Sequence, residues 1–127
     1  MSSPSLSHFL GRLYQDGEII FRQGDPGDCM YIIQLGQVEV MQRKGDKEFC
    51  LGVLGKGDFF GEMALFGQAV RSATVRSLGG ASVLTLEKKG LLRKIHEDPS
   101  LAFTMLKKMS DRIQELEALL VRYGDLA

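Results

Sequence analysis

The residues best able to do chemistry stand together in Gly61-Glu62-Met63-Ala64-Leu65-Phe66-Gly67-Gln68-Ala69-Val70-Arg71-Ser72-Ala73-Thr74-Val75, where a cation follows an anion in a stretch opened by glycine. Arg71 comes just before an apolar, strand-like run at 73–75. A guanidinium on such a rigid edge grips phosphate oxygens through parallel N–H bonds. Glu62-Met63-Ala64-Leu65 is a helix-forming turn whose first N–H groups face Gly61, and glycine lets a ligand approach the backbone closely. That makes a small anion cradle. Ser72 adds a hydroxyl and its own N–H. Glu62 has the wrong charge for a phosphate, so its use is to accept a hydrogen bond from a sugar hydroxyl. One site would then read both halves of a ribose phosphate. Residue types alone leave a second reading open, in which Glu62 and Arg71 pair with each other across a surface turn.

Other chemistries find little support. Cys29 and Cys50 lie apart with no Cys-x-x-Cys, which speaks against zinc or a redox couple and for reduced thiols in a cytoplasmic protein. His8 and His96 are the only histidines. A cupin-type enzyme, which needs a metal held by several histidines, is therefore a poor fit. No P-loop or dinucleotide fingerprint occurs. Sixteen basic residues balance sixteen acidic ones, so no overall positive field would gather nucleic acid or an acidic membrane. The first residues lack a leader's basic and apolar regions, and no apolar run is long enough to span a bilayer.

The elements that must hold the site follow from hydrophobic periodicity. With 127 residues, 44% of them hydrophobic, one domain over 1–127 is expected, large enough to stand on packing alone. Small polar residues at 2–7 predict a frayed lead-in, with a helical turn at 8–13. Strand-sized runs follow at 19–21, 30–35, 38–41, 49–54, 73–75 and 83–86. Breakers such as Gly24-Asp25-Pro26-Gly27-Asp28, Leu35-Gly36-Gln37, Gly55-Lys56-Gly57-Asp58 and Gly79-Gly80 separate them. Such spacing predicts a mainly β fold with flanking α-helices, a double-stranded β-helix or jelly-roll barrel over about 14–87. Helices are expected at 88–96 and, after the N-cap signal Asp98-Pro99, along a long C-terminal stretch ended by Gly124. Ala102, Leu106, Met109, Ile113, Leu116, Leu120 and Tyr123 form a heptad seam on it, suited to a homodimer or to packing on the chain's own barrel. Met30, Met41, Met63, Met105 and Met109 are expected as gap-filling core or seam residues, and Phe59-Phe60 as the anchor of the glycine-led segment.

The order Phe-Gly-Glu-Met-Ala-Leu at 60–65, followed by Arg-Ser-Ala-Thr-Val at 71–75, resembles the phosphate-binding cassette of the cyclic nucleotide-binding domain family. The resemblance runs upstream through Gly57-Asp58-Phe59-Phe60, Gly36-Gln37-Val38-Glu39-Val40 and Gly24-Asp25-Pro26-Gly27-Asp28-Cys29-Met30-Tyr31-Ile32-Ile33, and covers about 14–123. It implies a β-roll that binds cAMP, or cGMP second, without changing it chemically and without a metal. Glu62 would hold the ribose 2′-hydroxyl and Arg71 the exocyclic phosphate oxygens. The backbones of Gly61, Met63, Ala64, Ser72 and Ala73 would meet the remaining polar edges. In the family the final helix closes over the base, forms the dimer interface and carries the output. Here Leu116-Glu117 stand where some bacterial transcription activators present Thr-Ser to adenine, and Arg112 is the candidate to stack on the purine. Only Asp125-Leu126-Ala127 follow Gly124, too few for the helix-turn-helix of DNA-binding relatives, so a sensor domain is expected. The competing reading is a degenerate barrel that serves as an oligomerisation module without ligand.

Overall fold

The computed structural model describes residues 11–67 and 70–124. The chain divides into a strand-built unit ending at Lys88 and a helical unit beginning at Lys89. The first contains β1 (Arg12–Tyr14), β2 (Ile19–Phe21), β3 (Cys29–Lys44), β4 (Lys47–Gly55), β5 (Phe59–Phe60), a 3-10 helix (Glu62–Phe66) and β6 (Thr74–Glu87). All pairings are antiparallel, along the path β1-β6-β3-β4, with β2 also on β6 and β5 on β3. The hydrogen-bonded path has two ends and does not close, but the mainly β, jelly-roll-like architecture is the expected one.

Two long strands carry the sheet. β3 and β6 pair from Cys29 opposite Glu87 to Met41 opposite Thr74, with register slips on either side of Leu35-Gly36. The sequence reading divides each of them into two strands at a glycine turn; both in fact run straight through. At these points glycine makes a bend in the ladder rather than a reversal, because both strands resume pairing on the far side. Gly36 (φ 81°) faces Ala81, and Gly79 and Gly80 have φ of 77° and 103°. A Cβ on Gly36 would overlap the Gly80 carbonyl oxygen and lie 2.9 Å from the Ala81 Cα. The bend therefore depends on backbone touching backbone.

The alternating apolar residues of these strands build the core. Tyr14, Ile33, Val38, Phe60, Val75, Ala81 and Val83 form its buried cluster, with Phe21, Tyr31 and Val40 packed against it. The helical turn expected at 8–13 is not what forms: Arg12–Tyr14 is a strand on Ala81–Val83, because its alternating side chains extend an existing ladder, and 8–10 lie outside the described residues. Lys44 and Lys47 pair across Gly45-Asp46, a two-residue loop with φ 62° at its glycine and no positive φ at Asp46. A glycine first in such a loop suits a type II′ hairpin.

The helical unit follows the expected capping. α1 spans Lys88–Glu97 and α2 spans Ser100–Gly124. The Ser100 N–H donates to Asp98 Oδ1 at 3.2 Å, satisfying one of the orphan donors of the first turn. Of the seam residues, Leu106, Ile113, Leu116, Leu120 and Tyr123 are exposed, Leu120 at 72%. No described helix is long and apolar enough to cross a membrane.

Gly36→Ala should cost about 2–5 kcal/mol, combining a left-handed Cβ penalty with a backbone overlap that side-chain motion cannot relieve. Gly45→Ala, where a Cβ meets nothing within 4 Å, should lose only about 1–2 kcal/mol from conformation. Urea unfolding of both variants tests this; equal losses would mean that the β3–β6 crossing is not the tight point of the sheet.

Candidate functional site

β6 begins just after Arg71, so the strand fixes one end of the residue that the sequence singles out. The turn after β2 fixes the rest. The Arg71 N–H donates to the Asp25 carbonyl and the Gly24 N–H donates to the Arg71 carbonyl, both at 2.8 Å. That turn is itself closed by the Arg22 N–H on Asp25 Oδ2 at 2.9 Å. An aspartate and a glycine, the residues that favour turns, thus become a backbone template for an arginine far along the chain.

The Arg71 side chain points inward and is 6% exposed. Nη1 donates to the Gly61 carbonyl at 3.0 Å; Nη2 donates to the Cys29 carbonyl at 2.8 Å and lies 3.5 Å from Cys29 Sγ. The guanidinium carbon sits 4.3 Å from the centroid of the Phe21 ring and 5.6 Å from that of Tyr31. Burial, reinforced by a hydrogen bond with Cys29, pushes the Tyr31 phenol up. Tyr31 is therefore a neutral π face for the cation, not an anion. Nε is buried with no hydrogen-bond partner among the described residues.

This arrangement leaves charge unbalanced. The ion pairs among the described residues are Arg76–Glu39 at 2.9 Å and Arg12–Glu18 at 4.0 Å, and Arg71 takes part in neither. Among the described residues the surface pairing of Arg71 with Glu62 thus does not form; the buried cation meets carbonyl dipoles, the Cys29 sulfur and ring faces. A buried charge without its counter-charge is costly, and an anion entering beside it recovers that cost.

Space for such an anion is present. A cavity of about 180 Å³ is lined by Gly61, Glu62, Met63, Ala64, Arg71, Ser72 and Ala73, with Phe21, Val40, Phe60, Val70 and Val75 as its apolar walls. Glu62 and Arg71 face one space, as a ribose phosphate requires. Gly61 takes φ 76° at the start of the 3-10 helix, a conformation that side chains disfavour, and it turns its carbonyl to Arg71. The Ala64 N–H donates to that carbonyl at 3.3 Å, a long bond that a ligand oxygen can replace. The Ser72 carbonyl accepts from Gln42 Nε2 at 3.0 Å, and Ala73 is buried.

Some expectations change. Met63 is 53% exposed and lines the cavity, so it is not core; a five-residue 3-10 helix buries none of its residues. Phe59 and Phe60 are buried, and Phe60 stacks on Tyr31 with centroids 5.0 Å apart, which anchors the segment as expected. Cys29 is a free buried thiol and Cys50 a free exposed one. Among the described residues no cluster of three or more His, Cys, Asp or Glu could hold a metal. Arg112 lies on α2, in the helical unit. Sequence reasoning misses the residues that seat Arg71, namely Phe21, Gly27, Cys29 and Tyr31. Only the density of glycines at 24–27 signals them.

Comparison with known proteins gives the geometry a context. The sequence model of the cyclic nucleotide-binding domain matches residues 12–98. The cyclic AMP receptor protein of Thermus thermophilus is 33% identical over 114 residues, which cover 89% of this chain and 53% of that protein. A cGMP-dependent protein kinase of Caenorhabditis elegans is 42% identical over 91 residues, covering 69% of this chain and 12% of the kinase. The chain thus spans about half of the first relative and a small part of the second. In three dimensions it is similar to the Thermus thermophilus catabolite activator protein, with a TM-score of 0.78 at 30% identity over 92% of this chain and 56% of that one.

If Arg71 is kept for a ligand rather than for the fold, Arg71→Met should leave the unfolding free energy within about 1 kcal/mol, since relieved desolvation offsets the lost carbonyl bonds. Urea denaturation measures this, and a loss of about 3 kcal/mol or more would mark the side chain as a structural strut.

Proposed function

Because the chain belongs to the cyclic nucleotide-binding domain family, we propose that the cavity beside Arg71 takes a cyclic ribonucleotide, cAMP ahead of cGMP, as a non-catalytic regulatory signal. The observation that carries this reading is the buried Arg71 cation, without a carboxylate partner among the described residues, facing one cavity with Glu62. The singly charged cyclic phosphodiester supplies the missing anion. Its exocyclic oxygens meet the Arg71 guanidinium and the N–H groups of Ser72 and Ala73, while Gly61, Met63 and Ala64 offer backbone to the sugar side. Glu62 accepts from the ribose 2′-hydroxyl, a contact that a deoxyribose cannot make. Phe21, Val40 and Val75 supply apolar walls. In this scheme the ligand binds and leaves unchanged. Of the two named relatives, the one matched over more of the chain is a cyclic AMP receptor protein, which supports the order of preference.

In this reading 1–127 acts as one sensor domain in the cytoplasm, with no direct binding to nucleic acid or membrane. By the family resemblance, α2 converts occupancy into a shift between open and closed states. The exposed seam through Leu106, Ile113, Leu116 and Leu120 joins two copies in a homodimer. A degenerate, ligand-free barrel has less support, because it gives no reason for Glu62 and a desolvated Arg71 to share a cavity.

Calorimetric titration and thermal unfolding with cAMP, cGMP and 5′-AMP test the ligand. The cyclic nucleotides should bind and stabilise the chain, and Arg71→Leu should weaken that binding by about 2–5 kcal/mol. Equal binding by both proteins would move the ligand elsewhere. For the seam, the double substitution Leu116→Glu with Leu120→Glu should yield monomers in sedimentation while the strand-built unit stays folded; an unchanged sedimentation coefficient would exclude this interface.

A further inference from the structure

We propose that Gly27 is a positioning residue for the ligand site, present so that its bare Cα can lie flat against the Arg71 guanidinium. The proposal rests on the reading of Arg71 as the phosphate receptor and adds a determinant well away from the 61–73 segment. A Cβ built on Gly27 would overlap Nε and Cζ of Arg71 and fall 2.8 Å from Nη2. Proximity to the central carbon as well as to Nε is the signature of a point above the guanidinium plane; a point in the hydrogen-bonding fork would be farther from Cζ than from the nitrogens. The centroid of the Phe21 ring lies 4.3 Å from Cζ. Gly61 and Cys29 carbonyls hold its nitrogens. The guanidinium thus has a glycine against one face, an aromatic ring nearby and its nitrogens tied to carbonyls.

Conformation does not explain a glycine here. Gly17, Gly24, Gly36 and Gly61 have positive φ, whereas Gly27 does not, so its backbone is open to any residue. Only the missing side chain matters. The same segment also fixes the Arg71 backbone through Gly24 and Asp25, and Pro26 bridges Val70. One turn therefore sets both the main chain and the side-chain plane of the arginine. A methyl group at 27 would tilt that plane away from the cavity, and small misplacements of a preorganised fork cost disproportionately in binding.

A double-substitution cycle separates positioning from a general role in folding. Affinities for cAMP are measured by calorimetry for the unaltered chain, Gly27→Ala, Arg71→Lys and the pair. Gly27→Ala should weaken binding about tenfold or more when Arg71 is intact and less than about twofold in the Arg71→Lys background, where a slender ammonium has no plane to tilt. Equal losses in both backgrounds, or no loss beside Arg71, would overturn the proposal. Should the lysine proteins bind too weakly to measure, the same cycle is run on thermal unfolding without ligand, using Arg71→Ala. There Gly27→Ala should lower the melting temperature only when the guanidinium is present, and equal lowering would overturn the contact. If the unaltered chain binds neither cAMP nor cGMP, the proposed ligand fails, while the ligand-free cycle still decides whether Gly27 seats Arg71.

Discussion

A positive charge kept out of water, with no carboxylate partner among the described residues, is the constraint around which the strand-built unit is arranged. Arg71 is buried, its Nη atoms meet two main-chain carbonyls, and its Nε meets nothing among the described residues. In a fold selected only for stability, an apolar side chain or a carboxylate neighbour would serve better. Phe21 and Tyr31 soften the cost with their ring faces, and burial keeps the Tyr31 phenol neutral, so that this neighbour does not quench the charge. In the proposed function, that imbalance is what gives a phosphodiester a reason to enter.

Much of what positions this cation is a close approach of backbone. Gly61 supplies a left-handed corner and a carbonyl, Gly27 supplies room, and Gly24 supplies an N–H to the Arg71 main chain. Farther away, Gly36 and Gly80 let β3 and β6 touch where both long strands bend. β6 carries Val75 to the wall of the cavity and continues through the core at Val83. Sheet geometry and site geometry therefore share one mechanism, the removal of Cβ atoms where main chains must meet.

The legible part of the site was local. Glu62 and Arg71 flank a glycine-led turn and a strand start, so their candidacy follows from short spacing, and both do line one cavity. The cradle beneath Arg71 comes from residues some forty positions earlier, such as Cys29, 42 positions away, and no periodicity announces a contact across that distance. Glycine was ambiguous for a related reason. At Gly45 it marks a reversal; at Gly36 and Gly79-Gly80 it marks a bend within a strand, and only the register of the partner strand distinguishes the two. Arg12 and Leu13 likewise pair with β6 through a ladder that their own composition does not specify. The helices were legible because the Asp98 cap and the 3.6-residue period are properties of the segment itself.

The central claim, that the Arg71 guanidinium receives the ligand's phosphate, is tested most directly by following its side-chain Nε–H in 15N-resolved NMR during titration with cAMP. The signal is identified by its loss in Arg71→Leu, and its burial slows exchange with solvent. A saturable displacement of that resonance, matching the affinity found by calorimetry, is the predicted result. Binding that saturates while the Arg71 signal stays in place would contradict the account.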